Sequence, residues 1–351
     1  MIFLLLSLFS ISYGDVKIPV HNMSDAELKR ARIHNKIELR KFRSRSTPLA
    51  IEPLRPVAEY EEAGYLIFDA IMVGKDAENI KLELIKNLPK TVTAVILIGE
   101  EFKDKEKVKK DLTAKYEKLI DKERLKFVEI KVKTGYWERD VLPVPIWMGD
   151  AKAPKFGVVD AQYFRHYEPD AEVAKHFNAI HVKHSFTYEG GNFLSDSKGN
   201  CVTVKGRSLE EDVYKKYYGC KTITYLPHSS GIGHVDEVVK FISDGVVVTD
   251  TESYRSTLEK LGYKVYMLPK LPGYRTYVNS LIVNKTVYVP LYDYEKENKE
   301  ALETYKSLGF SVFGANSEDL SQEYLGSIHC STMTYPPVKF EALVSYLHER
   351  F

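Results

Sequence analysis

TAVILIGEEFKDKEKVKKDLTAKYEKLIDKERLKFVEIKV, residues 93–132, sets two apolar runs on either side of a long charged stretch. The first run, 93–99, is short, apolar and closed by Gly99, which predicts a strand. Residues 105–121 have the amphipathic pattern of a helix, and 127–132 predict a second strand. The alternation continues in both directions. Further strands are expected at 157–164, 178–184, 245–249, 264–268 and 280–290. Further helices are expected at 208–218, 251–261, 295–308 and 339–351. Glycine or proline usually separates them. Such alternation indicates an α/β fold. No exact internal repeat, low-complexity linker or break in composition interrupts residues 55–351, so they read as one large catalytic domain.

Charge narrows the function classes. Fifty Lys and Arg stand against 49 Asp and Glu, mixed along the chain, for a net charge of +1. A nucleic-acid partner is not expected, because phosphate binding needs a basic stripe. The 24 tyrosines read as compositional drift rather than as pocket walls. Residues 2–11 are almost wholly apolar, and Ser12, Tyr13 and Gly14 follow. This fits a cleaved export signal over 1–14, although no Lys or Arg precedes the apolar run. A secreted or periplasmic location follows as an expectation. The run falls short of the roughly 20 residues that span a bilayer, and no later segment is long and apolar enough to do so. Residues 15–54 read as an N-terminal arm. Its helix, 24–43, is opened by Ser24 with Glu27 completing a capping box, and its many basic residues suggest a solvated surface. Of three cysteines, Cys201 and Cys220 flank the 208–218 helix. An export compartment permits them to pair, but spacing alone leaves both the bonded and the free state open. Cys330 is the odd one out, which suggests a reactive thiol.

Four short segments carry chemistry-bearing residues beside strands or helices: Trp137-Glu138-Arg139-Asp140, Glu189-Gly190-Gly191-Asn192, Gly231 through Glu237 with His234 and Asp236, and Gly326 through Thr332 with Cys330. Each alone has an ordinary structural explanation, such as a turn, a helix cap or a surface ion pair. Together they supply a thiol, an imidazole that makes a thiol useful as a nucleophile, and two carboxylates. Paired carboxylates suit a guanidinium, which stays charged and takes planar, bidentate contacts. No zinc-type spacing occurs, so no metal or organic cofactor is expected. His176, His181 and His184 cluster near one strand, but the odd spacing of the last two turns them to opposite faces. The sequons at Asn22 and Asn284 support no function.

At these residues the sequence resembles the agmatine deiminase and Porphyromonas-type peptidylarginine deiminase family, within the guanidine-modifying pentein superfamily. The matching motifs are Trp137-x-Arg139-Asp140, Gly190-Gly191-Asn192, Gly233-His234-Val235-Asp236-Glu237, Tyr277-Val278-Asn279 and Gly326-x-Ile328-His329-Cys330, in the family's order. Arg55-Pro56-Val57-Ala58-Glu59-Tyr60-Glu61 is similar to its opening strand. The resemblance implies a five-bladed α/β propeller built from pseudo-repeats. It implies Cys330 as nucleophile, His234 as general acid and base, Asp140 and Asp236 as the grip on the guanidinium, Asn279 as a polar neighbour of the thiol, and Trp137 as a pocket wall. Arg165 and Tyr167 fall where Porphyromonas-type enzymes carry two arginines resembling a clamp for a substrate carboxylate; the second arginine is here a tyrosine. The expected reaction converts peptidylarginine to peptidylcitrulline and ammonia through a thiouronium on Cys330. Agmatine deimination is the first alternative. Amidino transfer to an amine and a non-catalytic binding protein on the same fold follow.

Overall fold

The computed structural model describes residues 16–45, 47–165, 167, 169–228 and 231–341. The export signal expected at 1–14 lies outside them, as does most of the helix expected at 339–351. Residues 339–341 are described and are not helical.

Strands Thr93–Ile98 and Leu125–Glu129 pair in parallel across helix Lys105–Tyr116. The Asp104 side chain opens that helix by accepting from Lys107 N. With its neighbours this piece forms a unit of an antiparallel pair followed by a helical crossover to a parallel strand. Parallel neighbours require such a crossover, whereas antiparallel ones can be joined by a tight turn. Strands Val239–Ser243 and Val246–Thr249, helix Glu252–Lys260 and strand Lys264–Met267 repeat the unit. So do Leu281–Val283 and Thr286–Leu291, helix Glu295–Ser307 and strand Ser311–Asn316. The single strand expected at 280–290 is thus a hairpin. It turns at Asn284, whose φ of 58° is the left-handed value that tight hairpins demand and Asn tolerates.

Among the described residues the strands form five small sheets, each containing this unit. The last strand, Met333–Tyr335, closes back antiparallel on Tyr65–Asp69. It carries the Cys330 segment to the start of the fold.

Several local expectations change. The helix at 208–218 is a short turn, Glu211–Val213, running into a wide π-type turn, Tyr214–Tyr218. Cys201 and Cys220 are joined by a disulfide across it. The tyrosines are not drift: Tyr116, Tyr188, Tyr214, Tyr218, Tyr277 and Tyr305 are fully buried. Their ring bodies fill the core, and their hydroxyls reach partners such as Thr203, Asn298 and Ser280. The N-terminal helix, Asp25–Arg45, keeps its Ser24–Glu27 capping box but is not a free arm. Its His34 bonds the Ser185 carbonyl at 2.6 Å, and its Asn35 exchanges two hydrogen bonds with Thr187. Leu39 and Phe42 pack into the adjoining core, so the helix covers strand Ile180–Thr187. No described helix is long and apolar enough to cross a membrane.

Candidate active site

The chemistry-bearing segments sit at loop ends of different sheets, and the fold brings their side chains to one buried point. Cys330 lies on a tight turn just before strand Met333–Tyr335 and is 1% exposed. Its carbonyl accepts from Arg139 N at 3.1 Å, which ties the cysteine loop to the Trp137 segment. Asn279 orients the thiol: its Nδ2 donates to Cys330 Sγ at 3.1 Å, and its Oδ1 accepts from His329 N at 3.1 Å. Asp236 lies on the other side, with Oδ2 3.7 Å from Cys330 Sγ.

Asp140, His234 and Asp236 have fully buried side chains. Gly191 is where they meet. Its N–H donates to Asp140 Oδ1 at 2.8 Å. A Cβ built on it falls 2.8 Å from both Asp140 Oδ1 and His234 Nδ1 and 3.2 Å from Asp236 Oδ2. Only glycine lets the backbone approach the three side chains this closely. His234 Nε2 faces Glu189 Oε2 at 3.2 Å. Among the buried side-chain atoms at this point, Asp236 Oδ1, Glu189 Oε1 and both ring nitrogens of His234 lack a hydrogen-bond partner. Buried polar atoms are rarely left so, and an arriving N–H donor would satisfy the carboxylate.

The charges follow from this geometry. Burial pulls the His234 imidazole down, but Asp140 and Glu189 outweigh it and hold it up at about 9. Burial pushes Asp140 up, but His234 and His21 outweigh it and keep the carboxyl below its ordinary range. Burial likewise opposes ionisation of Asp236, and the hydrogen bond from His329 overcomes it. For the Cys330 thiol, burial and the negative charges of Asp236, Glu237 and Asp140 act together and push it well up. The resting group is therefore a thiol, and a cation placed between the aspartates would favour the thiolate.

Outside this centre, His329 bridges Asp236, at 2.6 Å from Nδ1, and Glu59. Glu59 also takes Lys240 at 2.9 Å. Burial pushes Glu59 up, but His329 and Lys240 outweigh it and hold it well below the usual range. Glu59, Glu189 and His329 were all inside quoted motifs, yet only their three-dimensional neighbours give them work.

The unforeseen participant is His21. Its Nε2 lies 2.5 Å from Asp140 Oδ2, and its ring stacks on Trp137 with centroids 4.3 Å apart. Trp137, expected as a pocket wall, is fully buried, and the ring it faces comes from the chain's own N-terminal segment. Arg165, expected to face a substrate carboxylate, donates instead to the carbonyls of Val20, at 2.8 Å, and Asn22. Tyr167 sits against Gly135. His21, Asp140 and His234 also place ligand-type atoms within 4.8 Å of one another, a grouping that sequence spacing does not show. His176, His181 and His184 do not converge. They bond separately to the Glu341 carbonyl, Asp160 and Tyr218.

Solved structures with this fold include the C. jejuni agmatine deiminase, at a TM-score of 0.65 and 17% identity, covering 85% of this chain and 100% of that one. The Enterococcus faecalis agmatine deiminase matches at 0.65 and 17%, covering 84% and 100%. These likenesses show a mixed α/β fold of the deiminase type. The model of the Porphyromonas-type peptidyl-arginine deiminases matches residues 72–267 and 259–336, a span that includes Trp137, Asp140, His234, Asp236, Asn279 and Cys330. The chain belongs to the Porphyromonas-type peptidyl-arginine deiminase family.

Proposed function

We propose that the protein hydrolyses the guanidinium of an arginine-type substrate, with Cys330 as nucleophile. One observation carries this reading: a buried thiol, a buried imidazole and two buried carboxylates share one point, and the carboxylate nearest the thiol keeps an unpartnered oxygen. Asp140 and Asp236 hold the planar cation by charge-assisted contacts. As it enters, Cys330 gives up its proton to solvent, and the thiolate attacks the guanidinium carbon. His234, charged at neutral pH, gives a proton to the departing nitrogen, and ammonia leaves. The amidino group stays on sulfur as a thiouronium. His234 then takes a proton from water as the oxygen adds to the same carbon. The C–S bond breaks, the ureido product leaves and the thiol is restored. Glu189 holds the imidazole in place through the cycle.

A peptidylarginine substrate is the leading form, and agmatine is the alternative; both bring the same cation to Cys330. Export fits the Cys201–Cys220 disulfide, since such bonds persist in oxidising compartments. The five recurring units, with the last strand paired to the first sheet, read as the blades of a five-bladed propeller around this site. The test is to measure ammonia and ureido product from an internal-arginine peptide, a C-terminal-arginine peptide, free arginine and agmatine. Release of both products from any of them is expected. Release of neither from all four, by the wild type and by the His21→Ala variant alike, overturns the reading, and a large preference for agmatine moves it to the alternative.

A further inference from the structure

Cys330, Asp140, His234 and Asp236 are sealed from solvent, none more than 6% exposed. No guanidinium reaches them in this conformation, so something has to move. The chain's own residues 18–23 lie across Asp140. His21 is fully buried on Asp140, and its two ring nitrogens face two oxygens: Asp140 Oδ2 at 2.5 Å and the Leu325 carbonyl at 3.2 Å. A planar ring with both nitrogens set against acceptors sits where the planar N–H edge of a guanidinium would sit. His21 N donates to the Tyr324 carbonyl at 2.8 Å. Trp137 Nε1 donates to the Pro19 carbonyl at 2.8 Å. Arg165 holds the carbonyls of Val20 and Asn22, and Arg207 reaches from Glu189, at 2.8 Å, to the Asn22 side chain. Ile18 and Met23 are buried at either end.

The surface receiving the segment is shaped for it. Gly326 lies so close that a Cβ there falls 2.5 Å from the Trp137 ring and 2.9 Å from His21 Nδ1. The segment's anchor is less well packed. Between the Asp25–Arg45 helix and the body, an open cavity of about 390 Å³ is lined by Met23, Leu28, Leu39, Glu189 and Arg207, among others. The segment pairs with no strand and is held through individual hydrogen bonds and the two buried side chains at its ends, so it can leave without breaking a sheet.

We infer that residues 18–23 are an intramolecular plug: His21 occupies the cation's place on Asp140, and the enzyme is latent until the segment is withdrawn. The inference rests on the deiminase reading only for what the plug keeps out. A locked fraction lowers the apparent rate in proportion to its population.

The test uses the full chain and two readouts: alkylation of Cys330 by 2-chloroacetamidine, a cationic reagent that favours the thiolate once it reaches the aspartates, and ammonia release from an arginine peptide and agmatine. His21→Ala is expected to raise the alkylation rate about tenfold or more. Asn22→Ala, which removes only the Arg207 contact, is expected to raise it by less. A synthetic peptide of residues 16–24 should slow alkylation of the His21→Ala variant, and the same peptide carrying alanine in place of His21 should not. A rise in alkylation in either variant supports the plug; no rise in both overturns it. If alkylation rises while no guanidinium substrate is turned over by any variant, the plug stands and the deiminase reading falls.

Discussion

Gly191 shows how narrow the tolerances at the centre are. A methyl group there would press on Asp140 and His234 at 2.8 Å, and neither can retreat, since both are buried among charged partners. Misplacement of reacting groups by about 1 Å typically costs on the order of 100-fold in rate. Gly191→Ala should therefore lose roughly that much turnover while the protein still folds; turnover within a fewfold of wild type would mean the three side chains are not the working set. Arg165 gives a second prediction. Its present partners are the Val20 and Asn22 carbonyls, so it meets a substrate carboxylate only after the segment leaves. In the His21→Ala background, Arg165→Ala should slow a C-terminal-arginine peptide more than its amidated form, and agmatine least. Equal slowing of all three would remove the clamp. At this scale the sequence was legible where chemistry sits in short strings: Cys330, His234, Asp140, Asp236 and Asn279 meet as expected. His21 was not legible, because its partners Asp140 and Leu325 are 119 and 304 residues away and no local pattern marks such a contact.

Among elements, periodicity read the crossover units well and the turns poorly. The strands at 93–99, 245–249 and 264–268 formed within a residue of expectation, since β-branched runs bounded by glycine leave little choice. The 280–290 strand was split by one Asn in a left-handed turn, and the 208–218 helix gave way to a wide turn capped by Gly219 at φ 73°. That turn is held by the Cys201–Cys220 bond, which the spacing left open. Cross-linking a loop of this size typically contributes about 3 kcal/mol. The Cys201→Ser/Cys220→Ser double variant should unfold at lower denaturant by a comparable amount and keep its Cys330 reactivity. Unchanged stability would mean the bond adds nothing to the fold.

Across the whole molecule, buried titrating groups make stability depend on pH. His234 is held up at about 9 against roughly 6.5 in an unfolded chain. Its contribution is fully present below pH ~6.5 and is lost as pH rises through about 9. Glu237, which burial raises to about 8, slopes the same way: its neutral form favours the fold, and the advantage fades as pH rises through about 8. Between pH ~6.5 and ~9 the substrate-free protein should lose on the order of 5 kcal/mol of unfolding free energy. His234→Gln should flatten the upper part of that decline; an equally steep curve would reassign the slope. The recurrence of one strand and helix unit in five sheets, which no exact repeat in the sequence betrays, sets loops from distant parts of the chain around Cys330. The most direct measurement of the account is ammonia release by Cys330→Ala beside the wild type, both in the His21→Ala background, on the best arginine-type substrate. The account expects turnover to fall by roughly a thousandfold or more with the fold intact; retained turnover in Cys330→Ala would contradict it.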